Sequence, residues 1–383
     1  DQLGAYYTPL AVVIAAVAWG ISGDPTRFLA VLVVATPCPL LIAIPVALIG
    51  TISLAARRSI VIRDPACLEL IDSCRTIILD KTGTLTQGKP SLTNIHVAPG
   101  QNPDEILALA ATLEQYSKHP LAGAVIREAD NRKVSLREAS DISEPPGFGL
   151  RGTVDGRQVA ITGRKHVADQ QGLPPQTGGL ECVILLDEKY AGTLVFHDRP
   201  LTESGAFVRH LRSRHKFAKI MIVSGDRESE VRHLADQVGI TDIYAEQTPE
   251  QKVEITRAET AKAPTLFMGD GINDAPALLA ATVGIAFGPQ NDVASEAAGA
   301  VVLESSLVRV DELFHLSRRM RRIALESAVG GMLLSVCGMF FAAAGLLPPV
   351  AGALVQEAID LAAIMNALRA SFAPSNLTDV DSV

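Results

Sequence analysis

The sequence is poor in paired cysteines. Its five, Cys38, Cys67, Cys74, Cys182 and Cys337, are scattered over 383 residues, and none forms a CxxC pair. That spacing supports neither a zinc site nor a disulfide framework. A basic surplus is also missing: the net charge is −8, which argues against an electrostatic nucleic-acid partner. The chain begins with Asp1, not Met, and shows no charged n-region or cleavage site of a signal peptide, and no repeat or low-complexity tract is visible. What is present is apolar. Hydrophobic residues make up 48 %, and mean hydropathy is +0.25. That balance fits membrane spans mixed with water-exposed domains, and the length calls for more than one core.

Four apolar stretches, about 6–22, 28–54, 323–347 and 349–370, approach the roughly 20 residues needed to cross a bilayer. Basic residues flank them: Arg57, Arg58 and Arg63, then Arg318, Arg319, Arg321 and Arg322, then Arg369. The positive-inside rule places these, and the middle of the chain, on the cytoplasmic side. That middle alternates buried-strand runs ("TIILD", "KIMIVSGD", "TLFMGDG", "VGIAFG", "AVVLE") with amphipathic helices. Such alternation predicts a doubly wound α/β fold. Residues 91–195 differ, with two helices, a Pro/Gly-rich turn and short strands, and read as a separately folded α+β insertion. The expected chain is a multidomain membrane protein. Its parts are two helices in 1–56, an α/β domain in 57–90 and 196–318, the insertion in 91–195, two helices in 319–372 and a tail in 373–383.

Chemistry concentrates at strand ends. Asp80 opens "DKTGTLT" directly after "TIIL". An aspartate there can attack a phosphoryl group and carry it as an acyl phosphate. Gly83 permits the sharp turn that brings backbone N–H groups to phosphate oxygens. Asp270 and Asp274 in "GDGIND" are oxygen ligands suited to Mg²⁺. Ser224 in "VSGD" is placed to hydrogen-bond a phosphate oxygen, and Lys252 in "TPEQK" to neutralise the transferring group.

"DKTGTLT" and "GDGINDAPAL" resemble the two most specific motifs of the P-type ATPases, within the haloacid dehalogenase-like fold. The resemblance extends over essentially the whole chain. It implies that ATP phosphorylates Asp80, that Thr82 helps bind Mg²⁺ and phosphate, and that Lys252 contacts the phosphate. It further implies that Asp270 and Asp274 complete the Mg²⁺ site with Asp80, and that Asp198 in "HDRPL" marks a hinge. Phosphatases of this fold carry an acid/base Asp where Thr82 stands, so the acyl phosphate should persist. "EQYSKHPLAGAVI" and "GFGL" resemble the nucleotide-binding domain of the heavy-metal branch. There Glu114 and His119 would meet adenine, and Gly147 and Gly149 would let backbone approach the nucleotide. The implied setting is a multi-pass protein of a bacterial plasma membrane.

The second apolar stretch is interrupted by "TPCP". Lipid cannot satisfy freed backbone groups, so a break is tolerated where it lines a site. Pro37, Pro39 and Pro45 are expected to unwind the helix and present the Cys38 thiol. In "QEAID", Glu357 with Asp360, or Gln356 with Asp360, can share a helix face. Thr36 and Cys337 are weaker candidates. One thiolate with amide and carboxylate suits a borderline divalent transition metal better than Cu(I). The pattern resembles a subgroup associated with nickel and iron export. The expected cargo is a divalent ion of the nickel, iron or cobalt type, moved by ATP-driven transport; a zinc or copper pump of the same family, or a membrane-tethered phosphatase, are the alternatives. No Thr-Gly-Glu loop occurs, so the resemblance implies an N-terminal actuator region of the same gene product outside this chain.

Overall fold

The computed structural model describes residues 2–167, 172–175, 179–270, 272–288, 292–374 and 377–380. Gly271 of "GDGIND" and part of the expected tail (375, 376 and 381–383) lie outside the described residues. The chain divides into two compact units. One comprises Asp1–Ile77, Arg209–Lys219 and Val253–Val383; the other comprises Ile78–Val208 and Ile220–Lys252.

The first unit holds the apolar helices Gln2–Ser22, Pro25–Val34, Cys38–Ala56, Leu307–Ala343 and Pro349–Ala367. Three stretches, Pro25–Ala56, Leu307–Ala343 and Pro349–Ser371, are long and apolar enough to cross a membrane. The first expected span is a shorter apolar helix, Tyr6–Ser22, among the described side chains. The break at "TPCP" is narrower than three prolines suggest. Helical geometry stops at Val34 and resumes at Cys38. Pro39 sits in the first turn of the resumed helix, where a missing N–H costs nothing. Pro45 lies inside that helix without ending it, contrary to the expected unwinding there.

Small residues face inward and large ones outward. Ala15, Ala30, Ala43 and Ala47 are buried, while Leu41, Leu333 and Leu354 are each more than 60 % exposed. A Cβ at Gly331 would collide with Pro39, and one at Gly338 or Gly352 would press on Val34. Close backbone approach through small residues is how helices associate in lipid, where apolar burial itself gives little gain.

The same unit contains the strand order Ile60–Ile62, Ala300–Val302, Val283–Phe287, Thr265–Gly269. The last three are parallel and the first is an antiparallel edge. All three parallel strands are buried along their length. This explains their continuous apolar runs, since a strand covered on both faces has no polar alternation.

In the second unit, Asp242–Tyr244 pairs in parallel with residues 221–223, Asp242 opposite Met221. The insertion is a six-stranded antiparallel sheet in the order Thr86–Val97, Lys189–Pro200, Leu180–Leu186, Arg157–Thr162, Leu150–Val154, Ala139–Ser143. Its paired outer strands begin with Thr86 opposite Pro200, wider than 91–195 on both sides. Helix Pro103–Glu114 buries nine consecutive residues from Ile106 to Glu114. Ile106, Leu109, Leu113, Val125, Leu194 and Phe196 belong to one core.

Phe196 is fully buried in that core. Phe196→Ala should cost about 3–5 kcal/mol. Hydrogen exchange in Leu180–Leu186 and Lys189–Pro200 would report it as faster exchange than in the parent protein.

Candidate functional site

Strand Thr76–Leu79 is buried throughout and delivers Asp80 at its C-terminal end. The chain then turns through Lys81–Leu85, with Gly83 at φ +71°, a left-handed conformation that glycine adopts without a Cβ penalty. Asp80 is 5 % exposed, and Lys252 Nζ donates to its Oδ1 at 2.5 Å. Lys252 is itself 7 % exposed, so the pair is buried on both sides. Its position follows from a capping box. Thr248 N donates to Gln251 Oε1 at 2.8 Å, and Gln251 N donates to Thr248 Oγ1 at 3.3 Å. The box starts helix Pro249–Thr260 and sets the Lys252 side chain in its first turn.

Ser224 is buried at the end of strand Lys219–Val223. Its hydroxyl engages Asp226, donating to Oδ2 at 3.4 Å and accepting from the Asp226 N–H at 3.2 Å. Asp226 also accepts from Thr82 Oγ1 at 2.9 Å and pairs with Lys81 Nζ at 2.8 Å. Burial alone would raise the Asp226 carboxyl, but Lys81, Thr82 and Ser224 outweigh it and hold it below the usual range. Asp226 was missed from sequence although it stands two residues after Ser224 in "VSGD". Its partners Lys81 and Thr82 are 144 or more residues distant in the chain.

Asp198, the expected hinge, accepts from Thr86 Oγ1 and from the Lys89 N–H. Burial pushes its carboxyl up, and Thr86 and Lys81 moderate the rise. In the first unit, Asp270 follows strand Thr265–Gly269, and Asp274 begins helix Ala275–Ala280. Asp274 is 2 % exposed, and a Cβ on Gly269 would meet its carboxylate. The glycine in "GDG" therefore makes room for a buried acid.

Glu114, His119, Gly147 and Gly149 all line one cavity of about 990 Å³ in the insertion. Gly147 and Gly149 have φ of +82° and +92°, and a Cβ on Gly149 would run into the Ile161 carbonyl. His119 Nδ1 accepts from the Leu121 N–H at 3.3 Å, which leaves Nε2 for a ligand. Phe148 is exposed and lies 5.6 Å from the His166 ring, whose Nε2 is 2.9 Å from Gly147 O. Glu114 Oε2 is buried with no hydrogen-bond partner among the described residues. Burial pushes this carboxyl up to about 7, Ser117 lowers it and Glu144 raises it. Cys182, on the same wall, is pushed up to about 12 by burial and is an inert thiol.

Among the apolar helices, Gln356 Nε2 donates to Asp360 Oδ1 at 2.8 Å and to Thr36 O, in the break, at 3.4 Å. Cys38 lies close to Asp360. Of the two pairings open in "QEAID", Gln356 with Asp360 is the one formed; Glu357 is exposed. Cys337 is exposed as well. Ser335, not foreseen, donates to Gln356 Oε1 at 2.9 Å and is fully buried. Nothing in the sequence singles it out, because its role depends on which face of Leu307–Ala343 meets Gln356.

Residues 74–282 match the haloacid dehalogenase-like hydrolase family, and the chain belongs to it. Within that family its likeness is to metal-transporting P-type ATPases. It is 34 % identical to a copper-transporting P-type ATPase of Rhizobium leguminosarum bv. viciae, over 97 % of this chain and 47 % of that protein. It is 30 % identical to a zinc-exporting P-type ATPase of Mycobacterium marinum, over 96 % of this chain and 52 % of that protein. A crystal structure of a zinc-transporting PIB-type ATPase in the E2.Pi state superposes with a TM-score of 0.86 at 27 % identity, covering 97 % of this chain and 64 % of that one. The chain spans about half the length of the curated relatives it matches. With its apolar helices, it is a multidomain membrane protein.

Glu114 supplies a pH test. Its carboxyl titrates near 7 in the folded chain against an ordinary 4.5, so the folded state holds a proton that the unfolded state has released. Stability should therefore fall as pH rises from about 4.5 to about 7 and level off above. Glu114→Gln should flatten that decline, measured as melting temperature against pH.

Proposed function

We propose that this chain supplies the phosphorylation, nucleotide-binding and membrane parts of an ATP-driven pump for a transition-metal cation. The observation that carries the reading is the buried Lys252–Asp80 pair beside a left-handed glycine turn. A carboxylate paired with a lysine, at the end of a buried strand, is a prepared nucleophile. Asp80 attacks the γ-phosphorus of ATP; an O–P bond forms to the carboxylate and the bond to ADP breaks. Lys252 neutralises charge on the transferring group. The Lys81 and Thr82 contacts to Asp226 support a role in shaping the loop.

Mg²⁺ fits the donor chemistry of Asp80, Asp270 and Asp274, all hard carboxylate oxygens in the two motifs. When bound it would screen the phosphate's charge. ATP is assigned to the cavity of Glu114, His119, Gly147 and Gly149, which is large enough for a nucleotide and carries a buried carboxyl oxygen without a partner among the described residues. Position 82 is Thr, and its hydroxyl is spent on Asp226. This favours a lasting acyl phosphate over the phosphatase reading.

The cargo site is assigned to Cys38, Gln356 and Asp360, with the Thr36 carbonyl nearby. Glu357 faces outward and is left out of the set. One thiolate with amide and carboxylate oxygens points to a borderline divalent ion of the nickel, iron or cobalt kind. Copper and zinc are the runners-up, since relatives named for those metals share the fold. Export and an actuator region elsewhere in the same gene product follow from family resemblance.

Labelled ATP tests this. Purified protein should form a phosphoenzyme that Asp80→Asn abolishes and Lys252→Ala lowers by about 10²–10³-fold. Ni²⁺, Fe²⁺, Co²⁺, Zn²⁺ and Cu⁺ are supplied in turn. Label that needs both Cys38 and one divalent ion supports the pump and names its cargo. Label indifferent to metal and to Cys38→Ala would overturn the transport reading.

A further inference from the structure

Three histidines and an aspartate that none of the sites described above uses converge in the first unit. His210 lies in helix Ser204–Arg214 and His215 follows it; Asp311 and His315 are one turn apart on Leu307–Ala343. One ligand atom from each lies within 4.8 Å of all the others. His215 Nε2 is 2.7 Å from Asp311 Oδ1, His210 Nε2 is 3.1 Å from the same oxygen, and His315 Nε2 is 3.5 Å from Oδ2. All three rings thus present Nε2 to a carboxylate that is fully buried. Thr378 Oγ1 donates to Asp311 Oδ2 at 2.7 Å, and Asp379 Oδ1 lies 3.0 Å from His210 Nε2 and 2.9 Å from His315 Nε2.

Hydrogen bonds account for two of the three rings, His215 Nε2 to Asp311 Oδ1 and His315 Nε2 to Asp379 Oδ1. His210 is nine-tenths buried, yet its Nε2 makes no hydrogen bond of proper geometry to either carboxylate. Three imidazolium rings with centroids about 5–6 Å apart would repel one another. Three neutral rings can instead turn Nε2 lone pairs inward to a cation. A tetrahedral zinc-type ion sits about 2.0–2.1 Å from nitrogen and oxygen ligands, so its ligands lie about 3.3 Å apart. The nitrogen–oxygen spacings to Asp311, 2.7, 3.1 and 3.5 Å, bracket that value, and every pair of ligand atoms lies within 4.8 Å. The Thr378 bond to Asp311 is the kind of outer contact that orients a metal-bound carboxylate.

We infer that His210, His215, Asp311 and His315 form a binding site for a divalent transition-metal ion of the zinc or cobalt kind, separate from the transport path. Asp311 and Ser335, which contacts Gln356, lie 24 residues apart on one continuous helix, about 36 Å at 1.5 Å per residue. The donors are imidazole and carboxylate, without sulfur. A bound ion would fasten the corner at 210–215 to the head of the helix that continues as an apolar span.

The test is Co²⁺ titration of the whole protein after chelation, in excess Mg²⁺, read by visible absorption. Cobalt at Cys38 carries a thiolate charge-transfer band, whereas cobalt at the histidines does not. In a Cys38→Ala background we expect one Co²⁺ with tetrahedral absorption, displaced by Zn²⁺. His210→Ala and His315→Gln should each weaken it at least tenfold. His315 is on the exposed rim of the cluster, so His315→Gln decides the matter if His210→Ala fails to fold; metal-free melting temperature checks that its fold is kept. Absence of thiolate-free cobalt binding, or binding unchanged in His315→Gln and His210→Ala, would overturn the assignment and leave a His–Asp hydrogen-bond network.

Discussion

Everything at the candidate phosphorylation site depends on one buried ion pair. Withdrawing Asp80 and Lys252 from water is costly, and the cost is met only while both are present with good geometry. Removing one partner of such a pair typically costs about 3–5 kcal/mol, since the other charge is left stranded. The neighbouring architecture serves that geometry. The buried strand fixes Asp80, the Thr248/Gln251 capping box fixes the start of the lysine's helix, and Gly83 turns the chain out of the way. A carboxylate held this way keeps one orientation at the end of its strand.

Much of this was legible because the signals are local. A continuous apolar run ending in Asp, a glycine two or three residues on, and "TPCP" within an apolar stretch each constrain the backbone directly. The strands around "TIILD", "TLFMGDG" and "VGIAFG" formed for that reason, as did the break before Cys38. The illegible features depend on facing surfaces. Pro45 was expected to open the helix, yet Cys38–Ala56 continues through it. The choice of Gln356 over Glu357 follows from how Pro349–Ala367 is rotated against its neighbours. Asp226, Ser335 and the histidine cluster join residues distant in sequence, and no spacing rule announces them.

The apolar helices show a division of labour that composition alone conceals. Small residues and glycines lie where helices touch, and bulky aliphatics point away. Buried polar side chains such as Ser335, Gln356 and Asp360 find partners there, beside a backbone carbonyl freed by the break. In a medium without water, such a chain of partners is what makes an intramembrane carboxylate tolerable.

The insertion leaves and rejoins the chain at paired positions, Thr86 opposite Pro200. Partners across an antiparallel ladder have Cα atoms only about 4.5–5.5 Å apart. A whole folded module is thus spliced in at a gap that one or two residues could close. Seen historically, such a module is a cassette: it can be gained, lengthened or exchanged without re-threading the sheet that bears Asp80. Its own core, built around Phe196 and helix Pro103–Glu114, needs nothing from outside to bury its apolar surface. The lining of the insertion's cavity could therefore change by altering what hangs on that pair of strands, with Asp80 and its surroundings left alone.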